Sequence, residues 1–379
     1  MRLVLISTYP PIECGIATYT QYLTDALRAA GVDVYIVCHA GGSGKNVYPA
    51  FDYEDRDLPH RAFSTAMRFT PDVVHIQHEF GLFGPYFGIS VVSLILLLRI
   101  FDVPVVTTLH TVYSDIPPTH RILYESIIAQ SSKVIVHEEF QKNSLLNAIP
   151  YIDGNKIAII PHGARIVHPV EDAKEKLGLP ADKKIVLVIG YFRPSKNFEL
   201  AVDILPEVLK KYPDALLVIA GKIRGYEHKE YRNMLFNRIA ASPVKEHIYL
   251  IRGQLSQQAF DTILSAADVV VLPYRITSQS GILAHCLAFG KPVVTSSTEA
   301  MKQTIARSGS GLTCETRKDY VEAIVKVLSD DEFSKKLSEN ARQYVKNHIS
   351  WPIVARRHID IYSDLAKEVI SGVHVVTVD

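Results

Sequence analysis

At 379 residues the chain is too long for one ordinary core, and two domains of roughly 150–200 residues each are expected. Its 47% hydrophobic and 21% charged residues are those of a globular protein, and a net charge of +1 carries no whole-chain signature of a nucleic-acid partner. Four cysteines without a CxxC pair argue against a zinc or redox motif, and Cys38 and Cys286 read as small buried hydrophobes.

The opening Met-Arg-Leu-Val-Leu-Ile-Ser-Thr lacks the three regions of a signal peptide, so a cytoplasmic chain is expected. Residues 3–8 read as a strand, followed by the turn Tyr9-Pro10-Pro11-Ile12-Glu13-Cys14-Gly15. Residues 16–30 have helical spacing, with Tyr19, Tyr22, Leu23, Ala26 and Leu27 on one side, and Gly31 is placed to end that helix. A strand at 34–38 completes a βαβ unit. Further strands are expected at 73–76, 103–108, 133–136 and 157–160. The apolar run at 89–98, closed by Arg99, is shorter than the ~18–20 residues of a membrane span and is expected as a buried helix, with attachment to a membrane surface left open.

The pattern restarts at 184–189, a strand followed by Gly190-Tyr191-Phe192-Arg193-Pro194-Ser195-Lys196-Asn197 and a helix over 198–211. Strands at 215–220, 248–251, 269–272 and 293–296 follow, and 351–365 again has helical spacing. Short β-branched runs alternating with longer amphipathic ones imply parallel sheets covered by helices. The fold expected is α/β, with two doubly wound domains facing each other: 1–168, 169–355, and a C-terminal helix and tail over 356–379 that crosses back to the first domain. Such sheets bind ligands beyond the carboxyl ends of their strands, and two edges of this kind make a cleft.

Four segments carry candidate chemistry. Arg193 and Lys196 follow a strand and precede a helix; a bidentate guanidinium and a compact ammonium there suit the oxygens of a diphosphate. In Thr277-Ser278-Gln279-Ser280-Gly281-Ile282-Leu283-Ala284-His285, Ser280 is placed to cap a helix, which would leave the amides of Gly281, Ile282 and Leu283 as donors to an anion. The turn at 10–17 opens another helix at Gly15 without the GxGxxG of a dinucleotide site. Finally His78 with Glu79, His110, His137 with Glu138, and His162 each follow a strand, which suits hydrogen bonding to sugar hydroxyls or work as a base. No HExxH or other short ligand pair accompanies them, and no metal is expected.

These residues together resemble glycosyltransferase family 4, retaining enzymes of the GT-B fold, over nearly the whole chain. The resemblance rests on Cys14-Gly15-Ile16-Ala17-Thr18-Tyr19, Thr108-Leu109-His110-Thr111, Ile160-Pro161-His162-Gly163, Gly190 through Asn197, and Ala267-Asp268-Val269-Val270-Val271-Leu272-Pro273, with Gly290-Lys291-Pro292-Val293-Val294 and Trp351. It implies Gly15 and Ile16 near the donor phosphates and the acceptor, His110 at the transferred sugar, and Arg193 and Lys196 on the diphosphate. It also implies Arg252 and Gly253 near the base, with the amides after Ser280 completing the phosphate site. The family usually carries two glutamates in an E-x7-E arrangement, the first touching the donor sugar and the second the ribose hydroxyls; here those positions hold Thr277 and His285. A threonine can bond a hydroxyl without charge, and a neutral imidazole accepts one bond where a carboxylate accepts several.

The expected activity is metal-independent, retaining transfer of a hexose, with no cofactor beyond the nucleotide-sugar substrate. The donor expected first is GDP-mannose and second UDP-glucose, with a glycan or other hydroxyl compound as acceptor, no nucleic acid, and an oligomeric state the residues do not specify. A nucleotide-sugar epimerase, a glycan phosphorylase or a non-catalytic binding protein on the same scaffold are the alternatives.

Overall fold

The computed structural model describes residues 1–222, 228–253 and 255–370; residues 371–379 of the expected tail lie outside the described residues. The chain divides into two compact units, Met1–Gly163 with the segment from Ile349 onward, and Ala164–His348. The chain thus re-enters the first unit at Ile349 rather than at 356.

The N-terminal unit is built on seven parallel strands: β1 (Arg2–Ser7), β2 (Asp33–His39), β3 (Val47–Phe51), β4 (Val73–His78), β5 (Val105–Leu109), β6 (Lys133–Val136) and β7 (Ile157–Ile159), in the order β3-β2-β1-β4-β5-β6-β7. The strand expected from 103 starts only after Pro104. The edge strand β3 was not anticipated, because its sequence Val-Tyr-Pro-Ala-Phe breaks alternation with Pro49; a proline fits where one side of a strand has no neighbour. Helix Gly15–Ala29 buries Tyr19, Leu23 and Leu27, and Gly31 follows it at φ 86°, a conformation that glycine adopts without steric cost. The apolar run forms helix Ser90–Ile100. It buries Val91, Leu94, Ile95 and Leu98 at helical spacing and leaves Leu96 and Ile100 exposed. Among the described residues no helix is long and apolar enough to cross a membrane.

Helix Trp351–Ile370 completes this unit. Val354, Ala355 and Tyr362 enter the core formed by β1, β2 and helix Gly15–Ala29. The Trp351 indole packs edge-on to Tyr19 at 5.1 Å between centroids and also meets Tyr22 and His162. Gly163 explains the end of the Pro-His-Gly motif, since a Cβ there would lie 2.5 Å from the indole.

The C-terminal unit repeats the architecture with six parallel strands: β8 (Lys184–Tyr191), β9 (Ala215–Lys222), β10 (Ile248–Arg252), β11 (Val269–Leu272), β12 (Val293–Ser296) and β13 (Gly311–Cys314), in the order β10-β9-β8-β11-β12-β13. Strand β13, on the edge, was also missed: Gly-Leu-Thr-Cys is short and opens on a glycine. That glycine is required by close approach, because a Cβ on Gly311 would lie 2.0 Å from the Val293 carbonyl oxygen.

Candidate functional site

In the C-terminal unit β8 and β11 are neighbours, and the chain leaves them in opposite directions across the sheet. The crevice outside such a reversal is where doubly wound sheets bind ligands. The two segments singled out in the sequence follow these two strands, one after β8 and the other after β11. Arg193 is exposed and extended. A tight turn, Pro194–Lys196, leads to Asn197 at φ 52°, from which helix Phe198–Lys211 starts. Lys196 is only 9% exposed, and its Nζ stands 3.4 Å from the centroid of the Tyr274 ring. Burial first, and the Arg193 charge second, hold the Lys196 amine well below the ordinary lysine value. Tyr274, buried against it, has its phenol pushed up by the same desolvation.

Helix Gly281–Ala288 begins as the spacing predicts, with Ser280 extended at its N-cap. The Ser280 Oγ accepts the Leu283 amide at 3.1 Å. This corrects the expectation of three donors, because a capping hydroxyl takes the amide three residues on. The amides of Gly281 and Ile282 remain those that helix geometry leaves without an intrahelical acceptor. Thr277 donates its hydroxyl to the Gln279 carbonyl at 2.9 Å, and the His285 ring sits edge-on to Phe260, 5.2 Å between centroids. Arg252 ends β10, two strands from β8, and Gly253 follows it. Arg252 is exposed with its guanidinium 5.9 Å from the Phe236 ring centroid, and Gly253 has φ 139°. A cavity of about 370 Å³ opens at the same end of the sheet, lined in part by Asn197, Tyr274, Arg275, Thr298 and Arg317. Tyr274 was not anticipated as a site residue; a tyrosine two residues past a buried strand is a visible signal, but its stacking on a lysine 78 positions earlier is not.

In the N-terminal unit the chain likewise reverses between β1 and β4. Gly15 is exposed at the helix start with no atom within 4 Å of where a Cβ would sit, so no steric demand selects glycine there. The Ile16 side chain belongs to the core, so this residue offers only its backbone.

Three of the four strand-end histidines converge, His110 and His137 beneath the surface and His162 half-buried beside them. These three pack around Tyr19, and next to them His75 and His358 pack on each other and on Tyr362, forming one histidine bed, whereas His78 lies apart from it against Phe80 and Phe83. His110 is 1% exposed; its Nε2 pairs with Gln77 Oε1 at 2.8 Å and its Nδ1 with His137 Nε2 at 3.3 Å. His137 Nδ1 pairs with the Ile160 carbonyl at 2.9 Å, and His75 Nδ1 with the Tyr362 hydroxyl at 2.6 Å. Burial holds all six imidazoles neutral. It brings His137 down to about 3 and His78, His162 and His358 each to about 4, with His75 and His110 well below the usual value. Glu138 caps helix Glu139–Ala148 together with Gln141, and Glu79 accepts the Thr111 hydroxyl at 2.7 Å. Among the described residues no three His, Cys, Asp or Glu side chains are grouped as metal ligands.

Known proteins share both halves. The sequence model described as Glycosyltransferase Family 4 matches residues 14–166, and that described as Glycosyl transferases group 1 matches residues 169–344. A D-inositol 3-phosphate glycosyltransferase of Nocardioides sp. is 24% identical over 298 residues, which span 72% of this chain and 65% of that relative's length. A phosphatidyl-myo-inositol mannosyltransferase of Mycobacterium leprae is 24% identical over 385 residues, 97% of each chain. Among solved structures, sucrose-phosphate synthase from Thermosynechococcus elongatus superposes with a TM-score of 0.80 at 20% identity, covering 97% of this chain and 100% of that one. Anabaena HepE in complex with UDP superposes with a TM-score of 0.77 at 14% identity, covering 96% and 100%. With two parallel doubly wound domains and adjoining matches along both halves, the chain is a glycosyltransferase of the GT-B fold and belongs to glycosyltransferase family 4.

Proposed function

We propose that this glycosyltransferase transfers a hexose, with retention and without a metal, from a nucleotide-diphosphate sugar to a glycan or other hydroxyl acceptor. The observation that carries this reading is the gathering of Arg193, Lys196 and the capped start of helix Gly281–Ala288 at the reversal of the C-terminal sheet. As the glycosidic bond breaks, negative charge develops on the departing diphosphate, and preorganised cations and amides there lower the barrier. The acceptor hydroxyl then attacks from the face the diphosphate leaves, and a phosphate oxygen takes its proton. No protein nucleophile is required. His110, neutral and bonded at both ring nitrogens, fits hydrogen bonding rather than proton transfer.

GDP-mannose and UDP-glucose are the donors proposed. The mannosyl relative supports the first, and the second is supported by HepE, solved with UDP and separately with UDP-glucose. Thermal shifts with UDP, GDP, ADP and their sugars separate them, because a ligand that binds only the folded chain raises its melting temperature. Lys196→Ala and Arg193→Ala are each expected to lower turnover at least ~10-fold, equivalent to ~1.4 kcal/mol of barrier. Wild-type turnover in both variants would remove these residues from the diphosphate site.

A second expectation follows from the depressed Lys196 amine. A diphosphate beside it favours the charged form, so binding raises its pKa and takes up protons. The affinity gain is then full below the free protein's value and fades as pH rises through the bound value. Calorimetry in buffers of different ionisation enthalpy should register this uptake and find it missing in Lys196→Met. Equal heats in all buffers for the wild type would place the amine away from the phosphates.

A further inference from the structure

The inference concerns Glu199 and Arg275 and rests on the diphosphate-site reading above. Glu199 lies just inside helix Phe198–Lys211 with its side chain 7% exposed, and a carboxylate so placed requires partners. It has two. Arg275 donates to Oε1 at 2.6 Å, and the Tyr231 hydroxyl donates to Oε2 at 2.5 Å while accepting the Phe198 amide at 2.9 Å. Arg275 also donates from its guanidinium to Asn197 Oδ1 at 3.2 Å and from its backbone amide to the Ser195 carbonyl at 2.9 Å. The three Arg275 bonds join the segment that carries Thr277 and Ser280 to the stretch that carries Arg193 and Lys196 and the helix start behind it, and Tyr231, from helix Lys229–Ala240, braces that helix start from the other side of the chain order.

The sheet does not make that connection. The β8–β11 ladder pairs Val269 with Val186 and Val270 with Leu187, and ends there, before either segment begins. Lys196 over Tyr274 is a contact of cation and ring without directional hydrogen bonds. Charge supports the same assignment. A bare carboxylate beside an anion site would repel the ligand, and Arg275 cancels that charge while remaining committed to Glu199.

We propose that Glu199 and Arg275, steadied by Tyr231, are positioning residues that latch the two switch-point segments together, so that Lys196 and the helix amides after Ser280 meet one diphosphate at once. Glu199 and Tyr231 are buried, and of the three only Arg275 lines the cavity. The latch acts through Lys196, and this makes it separable from a merely structural pair by a mutant cycle.

The test measures, by titration calorimetry, the binding of UDP, GDP and ADP to the full chain and to its variants, with circular-dichroism melts alongside. With the nucleotide that binds the wild type best, Glu199→Gln should weaken affinity about tenfold, as expected for losing a buried bond to a charged group. Tyr231→Phe, which keeps the ion pair, should weaken it about threefold and serves if Glu199→Gln fails to fold. Arg275→Lys should recover much of the loss caused by Arg275→Met. The double variant Glu199→Gln/Lys196→Ala should bind within about twofold of Lys196→Ala alone, because the latch has nothing left to position. Wild-type affinity in Glu199→Gln, or losses that add in the double variant, would overturn the latch while leaving the donor site in place. Failure of all three nucleotides to bind the wild type would instead overturn the donor site itself, and the latch with it.

Discussion

Lowering the pH from about 7.5 to about 5 is expected to destabilise the N-terminal unit by at least ~4 kcal/mol, on the order of 10 °C in melting temperature. The cause is the histidine bed together with the buried His78. His78, His162 and His358 sit near 4 and His137 near 3 in the folded chain, against 6.5 for a free imidazole. Depressed values of this sign mean that the unfolded chain binds more protons than the folded one between about 6.5 and 4. The stability is therefore fully present above about 6.5 and falls as pH drops toward 4, by ~1.4 kcal/mol per pH unit for each independent imidazole. The mutual proximity of His110 and His137 makes the sum less than additive, and the expected figure is set accordingly low. Trp351 is the single tryptophan of the chain and packs on this bed through His162 and Tyr19, so its fluorescence follows this unit specifically. His358→Leu should shrink the acid loss. A melting temperature that stays level from about 7.5 to about 5 would mean that water reaches the bed.

The second large effect is expected from Trp351→Ala. The indole is 6% exposed and joins the returning helix to Tyr19, Tyr22 and His162. Truncating an aromatic in such a setting costs ~3–5 kcal/mol, part from lost burial and part from the cavity left behind. Gly163→Ala should be destabilising for the opposite reason, since its methyl would occupy the space of the same ring. Denaturant melts followed by circular dichroism measure both. A midpoint within error of the wild type for Trp351→Ala would show that Val354, Ala355 and Tyr362 hold the helix without it.

Much of the architecture could be read from local pattern, because a parallel strand buried on both faces is a run of β-branched residues and each run stands alone. Two of the four edge strands escaped, those of Pro49 and Gly311, because a strand with one neighbour need not be a continuous apolar run; the edge strands β7 and β10 kept such a run and were read. The Ser280 cap was legible, since a hydroxyl before a helix start is a local signal. Arg193 and Lys196 were legible as cations after a strand, but their supports were not. Glu199 meets Arg275 across 76 positions and His75 meets Tyr362 across 287, distances at which spacing carries no information. The convergence of His110, His137 and His162 followed from topology. The depth of the bed did not, because the helix that returns over it, with Trp351 on His162 and Tyr362 on His75, comes from the far end of the chain.

The helix from Trp351 to Ile370 also sets the order in which the protein is finished. During synthesis on the ribosome the first 163 residues emerge early, yet the core around Tyr19 lacks its lid until residue 370 is made. The C-terminal unit, continuous in the chain, has all its strands by Cys314. The half that is translated first is thus completed last, and a nascent chain arrested short of Trp351 carries an uncovered apolar face that invites chaperones.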